Sequence, residues 1–254
     1  MDRPEAASTS RTSASVDPAE VARFEAIAAE WWDAGGKFAP LHRFNPTRLA
    51  FLKDTLVRHF SRAPRAARPL EGLMLLDVGC GGGLVAEPMT RLGAAVIGID
   101  AGAATIEAAR RHANAMGLTI DYRTATVEEL AAQGARFDAV LALEVIEHVA
   151  EPGTFLKGAA SLLKPGGAMA VATLNRTARS FLLAIVGAEY VLRWLPPGTH
   201  DWTRFIRPRE LDGMLRSVGL GVTARTGVVY NPLSDRWSLS GDTGVNYIVL
   251  AAAA

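Results

Sequence analysis

The stretch Leu75-Leu76-Asp77-Val78-Gly79-Cys80-Gly81-Gly82-Gly83 constrains this chain more than any other part of it. A short apolar run, Met74 to Val78, ends in a loop rich in glycine, and a helical pattern from Leu84 to Leu92 follows at once. Glycine lacks Cβ, so such a loop can take positive φ and can let a ligand approach the backbone. A strand that turns through it into a helix fits alternating α/β chains, which bind ligands at the carboxyl ends of their strands.

The rest of the chain continues the alternation. Strands are predicted at Ala95 to Ile99, closed by Asp100, at Thr119 to Arg123, at Phe137 to Leu143 and at Ala168 to Thr173. Helices are predicted at Ala103 to Met116, at Thr154 to Leu163 before the turn Lys164-Pro165-Gly166-Gly167, and at Pro208 to Val218. Gly221 to Tyr230 and Val245 to Leu250 read as a closing pair of strands. The expected architecture is α/β: seven strands, mostly parallel, helices on both faces and an antiparallel edge strand. Upstream, residues 1–16 read as a disordered tail, with a short transit peptide as the rival that Asp2 and Glu5 oppose. Asp17-Pro18-Ala19-Glu20 reads as a helix start with a capping-box acid. A second helix is expected from Pro46 to Phe60. The chain is thus read as one domain over 17–254, with an N-terminal helical cap at 17–60.

Composition removes several classes of function. Cys80 is the only cysteine, which rules out an intrachain disulfide and thiolate metal clusters. With 27 basic against 26 acidic residues, no broad electrostatic grip on nucleic acid is expected. No apolar run reaches the roughly 18 residues that read as a membrane span.

Asp100 stands at the end of the second predicted strand, where a carboxylate can hold a ribose diol. Together with the glycine loop it points to a nucleoside cofactor; a tight turn that is merely glycine-rich is the plain alternative. Gly79 and Gly81 fit the dinucleotide pattern, but Leu84 stands where its third glycine belongs. Asp77 would repel a pyrophosphate and tolerate a cationic sulfonium. The reading therefore favours S-adenosylmethionine over NAD, and the strand and turn layout resembles the class I methyltransferases with their Rossmann-like fold.

Leu143-Glu144-Val145-Ile146-Glu147-His148 follows the fourth strand. If helical from Glu144, it puts Glu144, Glu147 and His148 on one face at the mouth of the crevice. Two chemical roles are open: His148 as general base, or all three side chains around a divalent cation such as Mg²⁺. A solvated helix start explains the two acids but leaves His148 unexplained. Further on, Phe181 to Ala188 is apolar, flanked by Arg176, Arg179 and Arg193, with Tyr190 and Trp194 nearby. This insertion, about 175–200, reads either as a lid or interfacial anchor for a greasy substrate or as a helix covering the sheet. His200 lies at its end, where it can touch substrate or serve structure.

From about Val21 to Leu250 the chain resembles the ubiquinone-biosynthesis O-methyltransferases. The resemblance rests on Trp31-Trp32-Asp33, Leu41-His42-Arg43, the glycine loop, Glu144 to His148, Thr173-Leu174-Asn175-Arg176, Gly187-Ala188-Glu189-Tyr190 and Gly198-Thr199-His200-Asp201. It implies cofactor contacts from Arg48, Gly79, Asp100 and Leu143, to which the loop reading adds Asp77 and Gly81. It implies catalysis by His148 with Glu144, and in eukaryotic members a metal at Glu144, Glu147 and His148. The implied substrates are polyprenylated phenols of the 2-polyprenyl-6-hydroxyphenol and 3-demethylubiquinol kind. The implied partners are membrane lipids, met through about residues 176–195, and other enzymes of ubiquinone biosynthesis. The implied location is peripheral to a membrane, on its cytoplasmic side in a bacterium or the mitochondrial matrix side in a eukaryote. A methyltransferase of another small molecule or of RNA, and a catalytically inactive lipid-binding relative, are the rivals.

Overall fold

Neighbouring residues of strand β1 (Met74–Val78) feed two different cores, because successive side chains on a strand point to opposite faces. In the computed structural model, which describes residues 15–33, 35–183, 185 and 201–253, Leu75 packs into one core and Leu76 into the other. The same alternation runs through β4 (Phe137–Leu143) and β5 (Leu163–Leu174): Leu141 and Ala170 face one side, Val140 and Val171 the other. Strands buried on both faces must be apolar throughout, which is why they read as continuous apolar runs.

The described residues form one eight-stranded sheet in the order β3-β2-β1-β4-β5-β8-β6-β7. Beside the strands already given stand β2 (Ala95–Asp100), β3 (Asp121–Thr124), β6 (Leu220–Asn231), β7 (Arg236–Ser240) and β8 (Asn246–Ala253). The strands β1 to β5 pair in parallel, and β8, β6 and β7 join antiparallel. On one face α2 (Ala39–His59), α3 (Ala86–Arg91) and α4 (Ala103–Ala115) bury Leu52, Leu56, Met89 and Ile106. On the other, α5 (Val127–Ala132), α6 (Pro152–Ser161) and α7 (Pro208–Ser217) bury Leu130, Leu156, Leu211 and Leu215. A third, smaller core joins Trp31 and Phe38 to Leu84 and Ala108, and so docks the N-terminal segment, with α1 (Pro18–Glu25), over the glycine loop.

Four elements depart from the sequence expectation. The sheet has eight strands rather than seven; β7 is half exposed and polar on its outer face, so it lacks an apolar signal. Helix α2 begins at Ala39 and carries Pro46 inside it. The bond lost at Pro46 is offset by tertiary anchoring on that turn, where Asn45 Nδ2 donates to the Leu84 carbonyl at 2.6 Å. Helix α5 carries a capping box between Thr126 and Glu129 that the periodicity alone did not reveal. Residues 144–150 are turn and bend, not helix. Residues 1–14 of the tail, and 186–200 of the apolar insertion with Tyr190, Arg193, Trp194 and His200, lie outside the described residues.

Candidate active site

The topology brings the site together. In the sheet β1 lies between β2 and β4, with Val78 in register with Ile99 and with Ala142. The carboxyl ends of these strands therefore open into one crevice. Asp77 and the glycine loop come from the first, Asp100 from the second, and Leu143 with Glu144 from the third. Arg48 reaches in from α2. A cavity of about 530 Å³ is lined by Arg48, Asp77, Gly79, Gly81, Asp100, Leu143, Glu144, Glu147 and His148. That is within the range of small-molecule sites, roughly 300–1,000 Å³. All nine candidate residues face the same space.

The glycine loop is tight for a reason that only the fold supplies. Gly79 has φ 62° and a Cβ there would meet Val145 at 2.4 Å; Gly81 has φ 54° and its Cβ would meet the Trp31 indole at 2.4 Å. The bodies pressed against the loop in this structure are thus the chain's own side chains. Trp31 is stacked on Phe38 with centroids 3.8 Å apart, and Trp32 Nε1 donates to the Gly82 carbonyl at 2.8 Å.

Charge is arranged unevenly around the cavity. Arg48 is buried and donates from Nε and Nη2 to Asn45 Oδ1, at 3.2 and 2.8 Å. Burial pulls its pKa down, against the pull of Glu144 and Asp77. Asp77 is buried, and its Oδ2 has no hydrogen-bond partner. Burial pushes its carboxyl up to about 7, against the lowering effects of Arg48 and the Ala86 N–H. Asp100 accepts from Gly81 N at 3.2 Å and from Gly102 N at 2.9 Å, which aims it along the glycine loop. A carboxylate oxygen has a second lone pair, so both oxygens can still accept from a diol. A buried guanidinium, a buried carboxylate with an unpartnered oxygen and an acid at the glycine loop fit a cofactor that carries a carboxylate, a cationic group and a ribose.

Glu144 is one of three described non-glycine residues at positive φ, at 56°, where its N–H donates to the Ala172 carbonyl at 3.0 Å. Such a backbone costs of order 1 kcal/mol and tends to occur at functional sites. The left-handed residue ends β4 abruptly and turns the following side chains apart. Glu147 is buried, its Oε2 accepts from Thr173 Oγ1 at 2.9 Å, and its Oε1 is unpartnered. Burial, and then the charge of Glu144, push its carboxyl well up. His148 turns instead to α1, where its Nδ1 lies 2.8 Å from Glu20 Oε2. The expected metal triad of Glu144, Glu147 and His148 is therefore not assembled. Among the described residues no group of three or more His, Cys, Asp or Glu side chains could hold a metal ion. The expectation assumed a helix from Glu144; the turn leaves Glu144 beside Glu147 and carries His148 to Glu20.

Sequence reasoning also missed residues that line this cavity. Glu20 was expected to close a capping box, but Asp17 alone caps α1, through the Ala19 N–H at 3.1 Å, and Glu20 reaches His148. Phe24 sets its ring edge-on to His148, with centroids 5.3 Å apart. No local spacing signals a contact between residues 128 positions apart.

The fold and crevice define a class I methyltransferase. A family model described as "Methyltransferase domain" matches residues 76–171. The magnesium protoporphyrin IX methyltransferase of Synechocystis PCC 6803, solved with bound SAH, superposes with a TM-score of 0.63 at 18% identity, covering 93% of this chain and 94% of that one. A SAM-dependent methyltransferase of Thermotoga maritima gives 0.59 at 19% identity, covering 91% and 98%. Far nearer in sequence are the ubiquinone biosynthesis O-methyltransferases of Chelativorans sp., 58% identical with 93% of each chain covered, and of Caulobacter vibrioides, 58% identical with 96% of this chain and 97% of that one covered. This chain belongs to the ubiquinone biosynthesis O-methyltransferase family.

Proposed function

We propose that this chain is an S-adenosylmethionine-dependent O-methyltransferase acting on ring hydroxyls of polyprenylated phenols in ubiquinone biosynthesis. The observation that carries the reading is the company kept in one cavity: buried Arg48, Asp77 with an orphaned oxygen, Asp100 on the glycine loop, and His148. Bound S-adenosylmethionine supplies a methyl group on a sulfonium, which an oxygen nucleophile accepts as the sulfur leaves as a thioether. Asp100 holds the ribose hydroxyls. Arg48 offers its guanidinium fork to the carboxylate. Asp77 supplies negative charge for a cationic group, and Leu143 packs at the strand end. His148 takes the proton of the ring hydroxyl, so that a phenolate forms, and then returns that proton to water. General bases of this kind typically contribute about 10²- to 10⁴-fold.

Glu144 lies beside Glu147, whose carboxyl is pushed well up by burial and then by the charge of Glu144. No step in this reading runs through a divalent cation. Holding His148 through Nδ1 does not by itself bar a cation from Nε2, so a metal requirement forms its own arm of the test.

The substrate's tail gives the apolar insertion its role. Phe181, Leu182 and Leu183 are consecutive and 43%, 58% and 52% exposed, an apolar surface that suits a lipid layer. Of the flanking arginines, the two that are described are engaged: Arg176 with Glu210, and Arg179 with Asp242 at 2.5 Å. Attachment is therefore by apolar contact more than by charge. Among the described residues no helix is long and apolar enough to cross a membrane, so this reading places the protein on a membrane face, cytoplasmic in a bacterium, within reach of the other enzymes of the pathway.

The test is methyl transfer from labelled S-adenosylmethionine to a short-tailed polyprenyl catechol, against soluble phenols and RNA, with chelator and with Mg²⁺. Turnover on the polyprenyl acceptor that survives chelation is expected. Turnover abolished by chelator and restored by Mg²⁺ would move His148 to a metal role. Preference for a soluble acceptor would overturn the substrate assignment. Flotation with anionic vesicles should retain the wild type and lose the Leu182→Ser/Leu183→Ser variant.

A further inference from the structure

Helix α1 contributes a side chain to the reactive end of the cavity, although it precedes the sheet in the chain. Glu20 Oε2 sits 2.8 Å from His148 Nδ1, and the two side chains are 20% and 16% exposed. The contact is held from several directions. The Ala150 N–H donates to the Ser15 carbonyl at 3.0 Å, just after His148. Arg204 pairs with Asp17 at 3.0 Å, and Glu25 Oε1 accepts from Ala104 N at 3.1 Å at the start of α4. Phe24 packs edge-on against the imidazole. Helix α1 is thus pinned to the elements beside Asp100 and beside His148 at once.

An ionised carboxylate can only accept hydrogen bonds. Burial pushes the Glu20 carboxyl up, but the hydrogen bond from His148 and the charges of His148, Arg23 and Arg204 outweigh it, and the group lies below its ordinary value. Ionised Glu20 requires the proton on Nδ1 of neutral His148, which leaves the ring lone pair on Nε2. The second ring nitrogen of a histidine is commonly set in this way by the hydrogen bond of the first.

We propose that Glu20 is a positioning residue for the methyl-transfer reaction: it fixes the Nδ1–H tautomer and the ring orientation of His148, so that the N-terminal helix completes the site. This inference rests on the general-base reading of His148. Glu20 acts through His148, which it contacts at 2.8 Å. Its carboxylate also stabilises the imidazolium formed when His148 takes the proton, as a buried acid does for the histidine of a hydrolytic triad.

The experiment uses the full chain with Glu20→Ala, His148→Ala and the double variant. Turnover, cofactor Kd and the ¹⁵N resonances of the imidazole are read, with the His148 signals assigned by their loss in His148→Ala. Glu20→Ala should lower kcat by about tenfold or more, leave cofactor Kd within about twofold, and move the His148 pattern from Nδ1–H to the Nε2–H form that free imidazoles favour. In the His148→Ala background the same change should cost nothing further, since residues acting as a unit are non-additive. Wild-type kcat in Glu20→Ala with a dead His148→Ala would overturn the positioning role and leave the base assignment standing. Wild-type kcat in His148→Ala would overturn the base assignment, and this proposal with it. An equal loss from Glu20→Ala in both backgrounds would make the contact purely structural.

Discussion

Asp77→Asn tests the electrostatics of the cavity most directly. The substitution keeps shape and removes one ionisable group whose burial sets its carboxyl at about 7, against an ordinary 3.8. Two consequences follow with definite signs. In the ligand-free protein the native state holds the proton more tightly than the unfolded chain, so Asp77 makes stability fall as pH rises from about 4 to about 7. At about 1.4 kcal/mol per pH unit, the ionised side chain costs the fold up to about 4 kcal/mol above that window. Binding a cation has the opposite pH dependence, because it needs the carboxylate. With a titration point near 7, Asp77 is about 9% ionised at pH 6 and about 91% at pH 8, so its contribution to cofactor affinity rises about tenfold between them. At pH 8 the asparagine variant should bind more weakly by about 2–5 kcal/mol, the range for breaking a buried charge pair, which is about 30-fold or more in Kd. Calorimetric titration with S-adenosylmethionine at both pH values reads this. The ligand's own amine and Asp100 titrate in wild type and variant alike, so the difference between the two pH slopes isolates Asp77. The slope should exceed that of the variant by close to one logarithmic unit, and the variant should gain ligand-free stability above pH 7. Equal slopes, or no affinity change at pH 8, would refute the placement of a cation against Asp77.

Three further substitutions probe the rest of the site. Asp100→Ala removes the acceptor for the Gly81 and Gly102 N–H groups and should weaken cofactor binding about tenfold or more; equal calorimetric affinity would sink the ribose assignment. Gly79→Ala forces a Cβ into Val145 at positive φ, and the melting temperature should fall with cofactor affinity; a variant as stable as wild type would mean that Val145 yields freely. Trp31→Ala removes the indole from Gly81 and from Phe38, for which about 3–5 kcal/mol of stability is the expected loss in denaturant titration. The cap should also become a protease target near residue 31, since its small core loses its largest member.

Much of the cofactor half of the site was legible because its residues are local to strand ends. Asp77, Gly79, Gly81 and Asp100 each stand where an apolar run stops, and parallel pairing of β2 and β1 obliges those stops to meet; Leu143, at the end of β4, entered through family resemblance. Sequence periodicity therefore determined the strands, the class of fold and the place of the ligand crevice. Arg48 entered through family resemblance, and its helix was misplaced, because Pro46 reads as a helix start when tertiary contacts are unknown. The apolar character of Phe181 to Leu183 was also legible, whereas the pairing of the nearby arginines with Glu210 and Asp242 was not.

The reactive half was decided by the tertiary structure. Glu144, Glu147 and His148 look like one helical face in sequence, but the left-handed backbone at Glu144 breaks that face. Glu147 then meets Thr173 while His148 meets Glu20. The Trp31 seat on the glycine loop and the Glu20 contact with His148 join segments far apart in the chain. A sequence encodes strand and helix through periods of two and about four residues, which local reading detects. It carries no comparable mark for a contact across 128 positions, because that contact exists only once the sheet has placed both partners at its carboxyl edge.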